Sequence, residues 1–283
     1  METTILNRKE AMLTANAIRS DILAMLPPGK VGHLGGSSSI ADIMSCLYFH
    51  HMNINPKNMK DPDRDRILLS KGHSVLAQYA ALTELGVIDR NELKTLKTYG
   101  SVLQGHPDME RTPGIEAVTG SLGQGLSVGL GLALGLKLEK SKGRVYVICG
   151  DGELSEGQVW EAAMAGSVFK ADNLTAIIDL NGIQATGTTE ETFPIPNIAE
   201  KWEAFGWNVI QLDGHDVVAI HKALEEARNF KGKPSVLVAR TIKGKGFSFA
   251  ENKAAFHNGS LTDEQYKIAL EDLEKIKNEV EKS

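Results

Sequence analysis

Apolar residues follow two rhythms along this chain. From Arg8 to Leu26, Ala11, Leu13, Ala17, Ile18, Ile22 and Met25 recur at helical spacing and predict an amphipathic helix. Pro27-Pro28-Gly29 ends it. Gly32–Ser39 is rich in glycine and serine and reads as a loop; Ile40–Phe49 and Val75–Leu85 read as helices. Between those helices lie a charged turn, Asp61–Arg66, and a short apolar run, Ile67–Ser70, expected to be a strand tip leading into Lys71-Gly72-His73. Gly100–Gly125 is a second glycine- and proline-rich region. It is long for a connection inside a compact domain, and such loops are often functional.

The second rhythm dominates the middle. Arg144–Cys149 has the β-branched character of a buried strand and is broken by Gly150-Asp151-Gly152. Ser155–Phe169 follows as a helix with a small apolar face, then Leu174–Leu180 as another buried strand. The pattern repeats in Trp207–Leu212 (strand), Asp216–Asn229 (helix) and Ser235–Thr241 (strand). Alternation of this kind predicts an α/β fold, a parallel sheet with helices on both faces. Leu261–Lys282 closes the chain as a charged helix with Thr262 as its N-cap. With no internal repeat and no proline- or serine-rich linker, residues 1–283 read as one domain, of which 261–282 is the C-terminal helix. Ligands of such sheets bind outside the carboxyl ends of the strands. Lys71–His73, Asp151, Asn181 and Lys243–Gly246 all follow predicted strand ends.

Composition narrows the setting. A net charge of −5 argues against nucleic acid or an anionic membrane as partner, since both attract a basic face. Cys46 and Cys149 lie in apolar stretches and read as buried free thiols, which suits a reducing cytoplasm. Met1–Glu10 has no apolar core of a secretory signal. The longest apolar stretch, Leu126–Leu138, is interrupted by glycines and is shorter than the ~20 residues that span a bilayer. The expectation is a cytoplasmic protein.

Asp151 and Asn181 carry the chemistry. Each follows a predicted strand, and one crossover separates them, so both hard-oxygen side chains fall on neighbouring strand ends. Magnesium commonly takes a few such ligands and completes its octahedron with phosphate oxygens. The helix that begins near Ser155 would turn its N-terminal amides toward the same place, favouring a diphosphate. Either residue alone is better explained as turn chemistry; the flanking glycines and the pairing reverse that reading.

Gly150-Asp151-Gly152 followed by Asn181 resembles the metal–diphosphate motif of thiamine-diphosphate enzymes. That resemblance implies Mg2+ (or Ca2+ or Mn2+) held by Asp151, Asn181 and the carbonyl of Ile183. Four histidines in glycine- or loop-rich contexts narrow it: Gly32-His33-Leu34-Gly35, Lys71-Gly72-His73, Gly105-His106-Pro107 and Phe256-His257-Asn258. With Thr119–Gly125 and Arg240–Gly246 they are similar, in order and neighbours, to the transketolase amino-terminal domain, from about Arg8 to Asn258. The likeness implies that His73 and His257 lie by the cofactor and that His33 and His106 line the sugar entrance. It places Gly120, Ser121, Leu122, Gly150, Gly152, Glu153 and Lys243 against the cofactor. It also brings Glu156 to a partner's active site across an interface; an acidic first turn complementing the helix dipole is the alternative, and for Glu161 the two are evenly matched. His50 and His51 end a helix, where the dipole suffices as explanation, and His215 reads as a turn or cap residue. His-Leu-Gly-Gly-Ser-Ser-Ser, Ser121 and Phe256-His257-Asn258 depart from the common transketolase pattern, which leaves substrate preference open.

The resemblance covers only the first of three transketolase domains. It implies a partner: a C-terminal subunit with the pyrimidine-binding and C-terminal domains, in a dimer of heterodimers that moves a two-carbon ketol unit between sugar phosphates. Three alternatives stand beside it. A deoxyxylulose-phosphate synthase or 2-oxoacid decarboxylase shares the metal motif. A nicotinamide dehydrogenase would need a Gly-x-Gly-x-x-Gly after a strand, and Gly123-Gln124-Gly125 follows none. A non-catalytic cofactor module would not need the four histidines.

Overall fold

The computed structural model describes residues 6–283. Helix α1 (Arg8–Met25) is capped by Asn7, whose side chain accepts from Glu10 N. It is followed by α2 (Leu34–Ser38) and α3 (Ala41–His50), then strand β1 (Arg66–Leu69) and α4 (Val75–Glu84). After a long irregular stretch come α5 (Gln124–Leu138), β2 (Val145–Gly150), α6 (Gly157–Val168) and β3 (Leu174–Leu180). A small antiparallel hairpin, β4 (Ile183–Gln184) and β5 (Gly187–Thr188), precedes α7 (Thr189–Thr192) and α8 (Ile198–Ala204). The chain ends with β6 (Asn208–Asp213), α9 (Val217–Asn229), β7 (Ser235–Arg240) and α10 (Asp263–Lys282).

The main sheet has the order β1-β2-β3-β7-β6, parallel throughout. Its strands alternate faces with period two. Tyr146 and Ile148 pack on one side with Ile18, Ile43, Tyr79 and Leu224, from α1, α3, α4 and α9. Val145, Val147 and Cys149 pack on the other with Leu126, Val159 and Trp202, from α5, α6 and α8. Both faces are thus covered, as the sequence predicts. Both cysteines are buried free thiols. No described helix is long and apolar enough to cross a membrane. Thr262 caps α10 in a reciprocal capping box with Gln265.

Register sets the site. Gly150 pairs with Asp179, Asp179 with Ala239 and Leu180 with Arg240. The carboxyl ends of β2, β3 and β7 therefore finish level, and Asp151, Asn181 and Thr241–Lys243 emerge side by side.

One stretch differs from the sequence reading. Gly32–Ser39 holds α2 and is buried, not an open loop. Its serines bond back to the preceding turn, Ser37 Oγ to His33 O at 2.7 Å and Ser38 Oγ to Leu34 O at 2.9 Å, so the hydroxyls that favour loops are satisfied inside a helix. The Gly100–Gly125 region is irregular up to Gly123, as the sequence predicts; α5 follows, and its glycines permit close packing on the sheet: a Cβ on Gly125 would stand 2.5 Å from Ser70 Cβ. The dipole explanation of His51 also fails. The ring is buried between Glu225 (2.7 Å) and the Tyr146 hydroxyl (2.8 Å), and burial lowers its pKa to about 2, so it carries no charge for a helix end to stabilise.

Candidate active site

The floor of the site is a wholly buried carboxylate. Asp179, at the end of β3, accepts from Lys71 Nζ at 2.6 Å, Ser39 Oγ at 2.8 Å and Asn181 Nδ2 at 2.8 Å, and from Thr241 Oγ1. Burial opposes its charge, but the Lys71 ammonium and these donors outweigh burial and hold its pKa below the ordinary carboxylate value. Lys71 Nζ also donates to Gly36 O at 2.7 Å. This network orients Asn181: its amide nitrogen must face Asp179, because a carboxylate only accepts, and Oδ1 is turned elsewhere, accepting from Ile183 N at 3.1 Å.

Asp151 stands beside it, 6% exposed, its oxygens accepting from Gly152 N at 2.8 Å and Gly182 N at 2.5 Å. Burial, reinforced by the Asp179 charge, raises its pKa to about 6. Lys243, 2% exposed, donates from Nζ to Ile183 O at 2.9 Å. Burial and the neighbouring Lys71 lower its pKa to about 8, against the pull of Asp179 and Asp151.

These residues surround a cavity of about 250 Å3, which His73, Leu122, Gly150, Gly152, Glu153 and His257 also line. Glu153 does more than line it. Buried, it accepts from Gly123 N at 2.7 Å, Gly150 N at 3.0 Å and Ser70 Oγ, tying the α5 entry to the end of β2. Among the described residues no three His, Cys, Asp or Glu side chains gather into a metal cage. The donors offered are one carboxylate, one oriented carboxamide oxygen and one carbonyl. That set fits a hard divalent cation that shares its sphere with phosphate, and the Lys243 ammonium already resting on the Ile183 carbonyl marks the place as cation-seeking.

The histidines form one cluster, of which His73 and His257 line the cavity and His33 and His106 do not. Ring centroids of His33 lie 5.1 Å from His73, 5.6 Å from His257 and 6.2 Å from His106, and His73 lies 4.9 Å from His257. Burial first, then nearby lysines and the other rings, lower every pKa: His33 and His257 to about 4, His73 to about 2, and His106 in the same direction. The rings are therefore neutral near pH 7, able to donate at one nitrogen and accept at the other. His257 Nδ1 is buried without a partner, an atom left for a ligand to meet.

Some expected residues fall outside. Ser121 is exposed and does not line the cavity; Gly120 (φ 144°) instead supports His106, whose Cδ2 would sit 2.9 Å from a Cβ there. Glu156 and Glu161 are exposed on the outer side, Glu156 at the N-cap of α6. The sequence reading places Lys71 only at a strand end and gives Asp179, Ser39 and Thr241 no individual role. The available signal is Asp179 itself, an acid inside the buried strand β3, which calls for a cation beside it.

Comparison with known proteins identifies the family. Residues 10–275 match the family described as transketolase, thiamine diphosphate binding domain. The chain is 46% identical over 261 residues to a 6-deoxy-6-sulfo-D-fructose transketolase subunit from Clostridium sp. (strain MSTE9), covering 92% of this chain and 95% of the relative. It is 42% identical to an apulose-4-phosphate transketolase subunit from Phocaeicola vulgatus, covering 93% and 94%. Human transketolase is 36% identical over 88% of this chain, yet only 39% of its own length is matched. The crystal structure of Campylobacter jejuni transketolase superposes with a TM-score of 0.84 at 31% identity, over 96% of this chain and 45% of that one. Matched over nearly the whole length of two relatives named as transketolase subunits, the chain belongs to the transketolase thiamine-diphosphate-binding domain family.

Proposed function

We propose that this chain is the amino-terminal subunit of a two-chain transketolase that transfers a two-carbon ketol unit from a ketose phosphate to an aldose. It works in the cytoplasm with a C-terminal subunit, in a dimer of heterodimers. The observation that carries the reading is that Asp151, Asn181, Ile183 and Lys243 line one small cavity together with His73 and His257, against which His33 packs in turn. At about 250 Å3 the cavity is smaller than the roughly 300–1,000 Å3 of ligand-enclosing pockets, as suits a site that grips one end of a cofactor.

Thiamine diphosphate, when bound, supplies the nucleophilic carbon and electron sink that let the bond next to a ketose carbonyl break. Asp151, Asn181 and Ile183 O would hold Mg2+, and Lys243 would offer its positive charge to the diphosphate. Neutral His33 and His106 would hydrogen-bond sugar hydroxyls, and His73 and His257, beside the cofactor, would hold and pass protons. Glu156, exposed at the start of α6, is free to meet the partner. Relatives named as transketolase subunits, matched over 95% and 94% of their own length, support a separate chain for the rest. Relatives named for sulfofructose and apulose phosphate favour a specialised sugar over ordinary pentose-phosphate exchange.

Reconstitution tests this. The purified chain with Mg2+, thiamine diphosphate and a ketose phosphate should be silent alone and turn over when a C-terminal transketolase subunit is added. Turnover by the chain alone, unchanged by the partner, would refute the split-site reading.

A further inference from the structure

Lys243 reaches the cavity from a loop whose conformation is fixed from behind. Ile242 N donates to His215 Nε2 at 2.8 Å, and Arg19 Nε donates to Lys245 O at 3.0 Å, so the backbone is held on both sides of Lys243. A backbone N–H can only donate. His215 Nε2 therefore carries no proton, and Nδ1 donates to Asp42 Oδ2 at 2.8 Å. Asp42 is in turn gripped by Arg19, Nη2 to Oδ2 at 2.5 Å and Nη1 to Oδ1 at 3.3 Å. Arg19 Nη2 also donates to Ser38 O at 3.3 Å, in the helix that follows His33. None of Arg19, Asp42 or His215 lines the cofactor cavity; all three face a second cavity of about 340 Å3.

We infer that His215 is a positioning residue. Through the Ile242 N–H it fixes where the Lys243 ammonium sits in the cofactor cavity, while Asp42 and Arg19 hold its ring in the one tautomer able to accept that bond. The cofactor consequence rests on the function proposed above; the positioning itself does not. Second-layer groups that orient a ligand are commonly worth roughly 10–100-fold in affinity. Here the lost bond would strand a backbone N–H and let the lysine wander.

Two measurements on the full chain test this. The first needs no cofactor: acetic anhydride acylation of the Lys243 amine, followed by mass spectrometry. His215→Phe removes the acceptor. His215→Asn keeps a donor toward Asp42 but cannot reach Ile242. Both should raise the Lys243 labelling rate roughly tenfold, the ratio that about 1.4 kcal/mol of opening free energy commands. His215→Gln, whose Oε1 can stand where Nε2 stood, should restore slow labelling. The second is thiamine diphosphate affinity with Mg2+. His215→Phe should weaken it roughly tenfold in the wild-type background and leave it unchanged in Lys243→Ala, because the effect passes through Lys243. Wild-type labelling rates in both His215→Phe and His215→Asn, or an undiminished affinity loss in Lys243→Ala, would overturn the inference. If the labelling pattern holds but the wild-type chain binds no thiamine diphosphate, the clamp stands and the functional reading falls.

Discussion

His33 is the hub of the histidine cluster, and its replacement by glutamine makes a measurable demand on acid stability. Its ring is packed against His73, His257 and His106, and burial with the nearby Lys97 charge lowers its pKa from 6.5 to about 4. In the unfolded chain the same imidazole takes its proton near 6.5. Between these values the unfolded state binds more protons, so stability rises with pH, is complete above about 6.5 and is lost as pH falls toward 4. A fully buried ring so displaced would lose about 3 kcal/mol across that window. Solvent reaches part of this ring, and screening reduces the expected loss to about 1–2 kcal/mol. Urea denaturation of wild type and His33→Gln, at steps from pH 7.5 to 4.5, reads it directly. The variant should lose about 1–2 kcal/mol less than wild type over that range, with the denaturant slope unchanged. Parallel pH profiles would refute the claim that His33 is held neutral by its surroundings, and with it the picture of a neutral hydrogen-bonding cluster.

Two more substitutions, with Gly131→Ala as a control, probe the frame beneath the site. Lys71→Met leaves Asp179 charged and buried without its ammonium; equilibrium unfolding should show a loss of about 3–5 kcal/mol, and a loss below about 1 kcal/mol would mean the pair is not buried as described. Gly125→Ala drives a methyl to 2.5 Å from Ser70, so thermal unfolding should report destabilisation of about 1–3 kcal/mol, whereas Gly131→Ala, on the open side of the same helix, should be stabilising or neutral.

The sheet and its flanking helices were legible because β2, β3 and β7 are apolar on both faces and α9 and α10 carry clean helical periodicity. Asp151, Asn181 and Lys243 were legible for the same reason: each follows a recognisable strand, and the parallel register then brings them together. What escaped is tertiary in origin. The serines of α2 look like loop residues until their hydroxyls are seen bonding back to the preceding turn. The glycines of α5 weaken any helix prediction, and their purpose, closeness to Ser70 and the sheet, is invisible without the partner surface. Asp179 lies inside a strand read only as buried, and its cation, Lys71, comes from over a hundred residues away. His215 looked like a turn residue because the bond that gives it meaning is to a backbone amide in a distant loop.

The most direct test of the whole account is a calorimetric titration of thiamine diphosphate into this chain. With Mg2+ present, wild type should bind saturably, a metal chelator should abolish the heat, thiamine without its phosphates should give none, and Asp151→Ala should bind at least about a hundredfold more weakly, the ratio for about 2.8 kcal/mol. Binding that is indifferent to chelator, to the diphosphate or to Asp151 would contradict the claim that these strand ends jointly hold a metal-tethered diphosphate.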